Sequence, residues 1–76
     1  MVLSNAEKRL LRQLGLRIRQ VRESRGWTLE EAEEHGWPSW RHLQRIESGK
    51  NVTFLSLARL AKAFGMSVSD LLKGLD

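Results

Sequence analysis

The apolar residues of this 76-residue chain recur at intervals of three and four, which is the spacing of one face of an α-helix. The longest such stripe consists of Leu10, Leu14, Ile18 and Val21. It predicts a helix that begins near Asn5 and ends near Ser24. Gly15 lies inside the stripe, where glycine costs a helix about 1 kcal/mol relative to alanine. The segment is therefore either one long helix or two helices joined at a kink near Gly15.

Capping residues and glycines predict four further helices. A serine or threonine before the first turn accepts a hydrogen bond from a free backbone N–H, and glycine ends a helix in the left-handed conformation. The predicted helices cover residues 29–35, 39–48, 54–64 and 68–73, and their caps are Thr28, Ser39, Thr53 and Ser67. Pro38 blocks any helix that arrives at the central segment from upstream. With no strand pattern, repeat or linker, the sequence predicts an all-α fold of five helices on one core.

Composition places the chain among small single-domain proteins of reducing compartments. It has no cysteine, no run of about 18 apolar residues and no apolar signal-peptide core, so we expect a cytoplasmic protein that does not contact membranes. The formal net charge is +4, which suits a polyanionic partner. The charge is segregated, because residues 8–25 hold seven basic side chains whereas residues 30–34 hold four acids.

The central segment 39–48 carries the side chains best suited to a chemical role. Leu43 and Ile46 fall on one face of the predicted helix, and the other faces carry an aromatic ring, two guanidiniums and an amide. These groups read base edges and phosphates, which indicates a DNA-recognition helix. His35 and His42 are too few for a metal site, and the serines and glutamates near helix starts are explained by capping. We therefore expect no enzymatic activity, no cofactor, no metal and no small-molecule ligand.

The three tryptophans have different expected environments. Trp27 falls on an inward position and is predicted to belong to the core. For Trp37 we favour packing under the recognition helix over covering the turn or lying against a DNA backbone. Trp40, early in the helix, is expected to contact DNA, and the alternative is that it folds back onto Trp37.

Three segments together resemble the Cro and lambda-repressor-like (XRE-type) helix-turn-helix domain. They read R-I-R-Q-V-R-E-S-R-G-W-T-L-E-E at 17–31, R-I-E-S-G-K at 45–50 and L-A-R-L-A-K-A-F-G-M-S-V-S-D-L-L at 57–72. The resemblance extends from about Leu16 to Leu72. It implies a compact five-helix domain with the helix-turn-helix at about 28–48. We expect this single domain to cover residues 1–76, with residues 1–15 as an N-terminal extension that lengthens the first helix beyond the family pattern.

The resemblance also implies roles for individual residues. Those on base-reading positions are Trp40, Arg41, Arg45 and Gln44. Those expected to contact the DNA backbone, through side chains, helix N-termini and loop amides, are Thr28, Ser39, His42, Ser48, Lys50 and Asn51. Arg22 and Glu47 fall where the family places a buried ion pair, and the alternative is two surface charges. For Arg45, the alternative to base reading is a hydrogen bond to Glu47 or a contact with phosphate only.

The sequence departs from the family pattern before the recognition helix. Leu29 stands where the family usually has a polar residue that contacts DNA. The family's small residue aligns with Glu33 and its turn glycine with Trp37, whereas Ala32 and Gly36 come one residue early. Either the turn is one residue longer and the second helix is rotated, or Glu33 points partly outward and Trp37 fills space by another route.

We therefore expect a sequence-specific regulator of transcription, such as a Cro-like repressor or a restriction–modification controller, that binds double-stranded DNA in the nucleoid. One recognition helix reads too few base pairs for a genome, so a homodimer on a near-palindromic operator is predicted. The predicted dimer interface consists of Met66, Val68, Leu71, Leu72 and Leu75, with residues 1–15 as its rival. The alternative functions are an antitoxin-like or adaptor module that binds protein through Trp37 and Trp40, and a nucleoid protein that binds DNA without sequence preference.

Overall fold

The computed structural model describes residues 2–37 and 39–75, in which the chain forms five α-helices and no β-strand. The helices are α1 (Asn5–Ser24), α2 (Leu29–Glu34), α3 (Trp40–Glu47), α4 (Phe54–Phe64) and α5 (Val68–Leu71). The predicted all-α, five-helix fold is confirmed. Helix α5 is shorter than the predicted 68–73, and the predicted role of Pro38 lies outside the described residues.

The four predicted N-terminal caps are present, and Ser4 caps α1 in the same way. The Ser4 hydroxyl accepts from the Glu7 N–H (3.1 Å) while the Glu7 carboxylate accepts from the Ser4 N–H (2.7 Å). Thr28 and Glu31 form the same reciprocal pair at α2. The hydrogen bonds from the Ser4 backbone and side chain lower the pKa of Glu7, and those from Thr28 likewise lower the pKa of Glu31. The starts of the helices are thus set by contacts three residues apart.

Helix α1 is continuous over 20 residues, so the alternative of two helices kinked at Gly15 is wrong. Gly15 is buried where α1 crosses the C-terminal end of α3. A Cβ atom at this position would lie 2.5 Å from the carbonyl oxygen of Glu47 and 2.7 Å from that of Ile46. The glycine therefore permits a close approach of two helix backbones, which offsets its unfavourable helix propensity.

The core is built from side chains of every helix. The largest that are almost completely buried are Ile18, Trp37, Leu43, Ile46, Leu60 and Leu71. Leu10, although it belongs to the predicted stripe, is 42% exposed. Residues 4–10 are all exposed, which means that the first turns of α1 extend past the core. Trp27 packs against the core with part of its surface exposed.

The predicted dimer interface requires a correction at Leu71. This side chain is 0% exposed and belongs to the core of its own chain, so it does not reach a partner. The reason is the docking of α5 on α1, where the guanidinium of Arg17 donates to the carbonyl oxygens of Leu71 (3.2 Å) and Asp70 (2.9 Å). The other predicted interface residues are partly buried against the same core: Met66, Val68, Leu72 and Leu75.

Candidate nucleic-acid interface

Helix α3 has one buried face and one exposed polar face. Leu43 and Ile46 are at most 1% exposed and fix the helix against α1 and α2. Arg41, Gln44 and Arg45 are exposed on the remaining surface. The structure therefore brings three of the four predicted base-reading side chains onto the solvent side of a helix whose other side is held in the core.

Trp40, the fourth predicted base reader, is half-buried at the start of α3. The guanidinium of Arg41 lies 5.2 Å from the centre of its ring, which is cation–π distance. The alternative for Trp40 was that it folds back onto Trp37. The aromatic ring that packs beside Trp37 is instead that of His42, with 5.2 Å between the ring centroids. Stacking on the indole orients Arg41 at the N-terminal end of the helix.

Trp37 is packed under the recognition helix, as predicted. It is 1% exposed, and its Nε1 is buried without a hydrogen-bond partner among the described residues. A surface formed by Trp37 and Trp40 together, on which the adaptor alternative depended, is therefore not present. His42 is half-buried beside Trp37 and also lines a shallow cleft with Asn51, Thr53 and Ser56.

Glu33 explains how the chain accommodates its departure from the family pattern. Ala32 is 2% exposed and occupies the small inward position of α2, whereas Glu33 is exposed. The Glu33 carboxylate accepts the backbone N–H of Trp40 at 2.8 Å. A carboxylate at a helix N-terminus is favourable. Glu33 thus caps α3, and it places a negative charge beside the predicted base readers.

Arg22 and Glu47 form a bidentate, almost buried ion pair. The Arg22 Nε donates to Glu47 Oε2 (2.7 Å) and Nη2 to Oε1 (3.0 Å), and their side chains are 10% and 8% exposed. Nη1 also donates to the Trp27 carbonyl (2.6 Å). The hydrogen bond to Glu47 raises the pKa of Arg22 despite burial. The pair joins the end of α3 to α1. Among residues 2–37 and 39–75, Arg22 rather than Arg45 is the arginine that bonds to Glu47.

The loop after α3 offers side chains to a ligand, but few amides. The backbone N–H groups of Ser48, Gly49 and Lys50 donate to carbonyls of α3, and the Ser48 hydroxyl donates to the Arg45 carbonyl at 2.8 Å. The backbone amides of Ser48 and Lys50, which were expected to contact phosphate, therefore already have carbonyl partners in α3. Lys50 and Asn51 are exposed, and the Asn51 side chain accepts from the Val52 N–H through Oδ1, which leaves its NH₂ group free to donate.

The helix caps Thr28 and Ser39 each keep a hydroxyl proton. Their oxygens accept from the N–H groups of Glu31 (3.1 Å) and His42 (3.4 Å). A hydroxyl that accepts through its oxygen still donates through its hydrogen, so both side chains can donate to a phosphate oxygen.

Two arginines of the basic segment have structural roles that the sequence did not indicate. Arg17 donates to the C-terminal carbonyls of α5, and Arg25 donates to the Phe64 carbonyl at the end of α4 (2.8 Å). Cations are favourable at helix C-termini, where carbonyls lack partners. No local signal predicts these contacts, because the paired residues are 39 to 54 positions apart.

Neither a membrane span nor a metal cluster occurs in the described part of the chain. No helix there combines the length and apolar character needed to cross a bilayer. No three of the His, Asp and Glu side chains of residues 2–37 and 39–75 are grouped as metal ligands.

Comparison with protein families agrees with this geometry. A family model described as Helix-turn-helix matches residues 18–71, from the middle of α1 to the end of α5. Comparison with curated protein sequences gives no significant match. The matched region covers most of the chain and includes α2, the turn and α3. The chain belongs to the helix-turn-helix family, as a Cro and lambda-repressor-like member of this group of DNA-binding regulators.

Proposed function

We propose that this protein is a sequence-specific regulator of transcription, acting as a repressor, that reads an operator in double-stranded DNA with the exposed face of α3. The observation that carries the proposal is the pair of exposed guanidiniums, Arg41 and Arg45, one turn apart on a helix fixed at both ends. Arginine donates two hydrogen bonds to O6 and N7 of guanine, and each such contact discriminates against other bases by about 1–3 kcal/mol. Gln44 and Trp40 complete the reading surface.

The rigidity of α3 supports specific over nonspecific binding. Glu33 caps its N-terminus, and the Arg22–Glu47 pair holds its C-terminus. A helix held in this way presents its side chains at fixed positions, so a wrong base leaves a buried donor unpaired.

Backbone contacts supply most of the affinity in this proposal. The donors are the hydroxyls of Thr28 and Ser39, the Lys50 ammonium and the Asn51 amide. Ser48 and His42 contribute less, because the Ser48 hydroxyl is already used and the His42 ring packs on Trp37. Binding should weaken steeply with salt, since each neutralised phosphate releases counterions.

A homodimer is part of the proposal, because one helix contacts only a few base pairs. Two copies would read half-sites about 34 Å apart. We place the interface on the exposed edges of Met66, Val68, Leu72 and Leu75. Leu75 lines a shallow cleft with Leu16, which is 58% exposed on α1, so these two apolar side chains lie on one surface, among the polar residues Gln13, Arg17, Gln20 and Lys73.

Light scattering tests the interface. Leu75→Asp should halve the molar mass, whereas Phe54→Asp, which changes an exposed apolar residue (71% exposed) at the start of α4, should leave it unchanged. The reverse result would move the interface to α4. An unchanged mass in both variants would exclude both surfaces.

The reading function is tested by selection from a pool of random duplexes at about 0.15 M salt, where only nearby charges interact. Wild-type protein should retain a short inverted repeat. Arg41→Ala should lose the base preference at one defined position in each half-site. Arg59→Ala changes an exposed arginine on α4 and should select the wild-type motif. Retention without a motif would indicate a nucleoid-type protein, and no retention even at low salt would reject DNA binding as the function.

A further inference from the structure

The basic side chains of α1 divide into two groups by what they contact. Arg17, Arg22 and Arg25 bond to other parts of the fold, and Arg19 pairs with Glu23 at 3.4 Å on the surface. The remaining group lies in the first turns, where the helix extends past the core: Lys8, Arg9 and Arg12. Among residues 2–37 and 39–75, none of these three has a hydrogen-bonded or ionic partner for its side chain. Their charge does not serve the fold.

Lys8 and Arg12 lie on the side of α1 that faces the loop after the recognition helix. They line a cleft whose opposite wall is Ser48, Gly49, Lys50 and Asn51. The contact is close, because a Cβ atom on Gly49 would lie 3.0 Å from Cγ of Arg12. Arg9 lines a different depression on α1, together with Ala6, Glu7 and Gln13.

The cleft is suited to anions. Three cationic side chains line it, from Lys8, Arg12 and Lys50, and no carboxylate does. The acids next to the cleft residues in sequence have other partners, since the Glu7 carboxylate accepts from the Ser4 N–H and Glu47 is bound to Arg22. The Asn51 side chain adds a neutral donor at the same rim.

We propose that Lys8, Arg12 and Lys50 form a phosphate clamp that holds the DNA backbone outside the bases read by α3. The inference rests on the proposed function, because the loop 48–51 is the part of the helix-turn-helix that lies next to the DNA backbone in it. Lys8 and Arg12 precede residues 18–71, the part matched to the family, so the clamp is a feature of the N-terminal extension of this chain. The clamp would lengthen the DNA segment that the protein contacts without increasing its sequence specificity, since phosphates carry no direct sequence information.

The test compares the salt dependence of binding for three proteins on the duplex selected by the wild type. The clamp variant is Lys8→Gln/Arg12→Gln. The control variant, Arg9→Gln/Lys62→Gln, removes the same number of charges from exposed positions outside the cleft. All four positions are exposed, so circular dichroism should show unchanged folding.

The clamp variant should lose about one unit of salt slope per removed phosphate contact, which is about two per protomer. Hydroxyl-radical protection should disappear at the backbone positions flanking each half-site, while the selected motif stays the same. The control variant should keep the wild-type footprint.

Failure of the clamp and failure of the proposed function give different results. If wild type binds a motif but the clamp variant keeps its slope and footprint, or changes them only as the control does, the clamp is refuted and the proposed function stands. If the clamp variant selects a different motif, Lys8 or Arg12 reads bases and the clamp is likewise refuted. If wild type retains no duplex at any salt concentration, the proposed function fails and the clamp fails with it.

Discussion

Replacing Gly15 with alanine tests whether helix propensity or the close contact between α1 and α3 decides the effect of this residue on stability. Helix propensity alone predicts that Gly15→Ala stabilises the protein by about 1 kcal/mol, since Gly15 lies within a continuous helix. The structure predicts the opposite sign. The new Cβ would lie 2.5 Å from the carbonyl oxygen of Glu47 and 2.9 Å from its carbonyl carbon, and both are backbone atoms. A side chain could rotate away from this contact, but a helix end cannot.

The magnitude follows from the shift that relieves the contact. Overpacking a close contact typically costs about 1–3 kcal/mol, which exceeds the gain in propensity. For a domain of this size, a net loss of 1 kcal/mol lowers Tm by about 4–8 °C. The end of α3 would also move relative to α1, which strains the bond between Arg22 and Glu47.

Urea unfolding and thermal melting measure this effect. Gln20→Ala, at an exposed position of α1, is the control and should change the free energy of unfolding by less than about 0.5 kcal/mol. Gly15→Ser should be at least as destabilising as Gly15→Ala. If Gly15→Ala proves as stable as wild type or more stable, the close crossing of α1 and α3 is not a feature of the folded protein.

Three further predictions concern the ion pair of Arg22 with Glu47, the buried ring of Trp37 and the capping carboxylate of Glu31. Arg22→Ala and Glu47→Ala should each lower the free energy of unfolding by about 3–5 kcal/mol, and the double variant by less than their sum, because each single change leaves a buried charge unpaired. Trp37→Phe should change stability by less than about 1.5 kcal/mol, since it also removes an unpaired N–H, whereas Trp37→Ala should cost about 3–5 kcal/mol. The pKa of Glu31 is lowered on folding, so its contribution is complete above the ordinary value of 4.5 and is lost as pH falls through the folded value. Urea titrations of Glu31→Gln between neutral and acid pH should therefore show a smaller loss of stability than wild type, and an equal loss would contradict the role of the cap.

The parts of this fold that could be predicted from sequence are those fixed by neighbours along the chain. Reciprocal caps such as Ser4 with Glu7 join residues three apart, and the apolar period identifies which face of a helix is buried. The ion pair of Arg22 with Glu47 has no such local signal, and only the resemblance to a known family placed it. Helical spacing alone placed Arg41 and Arg45 away from the face of Leu43, and the resemblance implied their base-reading role.

What could not be predicted depends on contacts between distant segments. From sequence alone, Gly15 only weakens its helix, and its role becomes clear because α3 crosses α1 there. Arg17 likewise belongs to the basic segment in sequence, whereas in the structure it bonds to the end of α5. Leu71 and Leu75 are equally apolar, yet the first is in the core and the second lies at its edge. Apolar residues in excess of what a short helix needs therefore indicate a surface that becomes buried. They do not show whether it is buried by the same chain or by a partner.

The acidic helix beside the reading face has a consequence for specificity. Glu30, Glu31, Glu33 and Glu34 are all exposed on α2. Two of them, Glu31 and Glu33, accept hydrogen bonds from backbone N–H groups at helix N-termini. Together the four carboxylates repel any phosphate that approaches α2 broadside. Repulsion of this kind disfavours other orientations more than the proposed one, in which only the N-terminal edge of α2 would meet the DNA backbone. The attraction must then come from α3 and the cationic side chains beside its C-terminal loop. We expect low affinity for random DNA, and a larger fraction of the binding free energy in base contacts than the net charge of +4 alone implies.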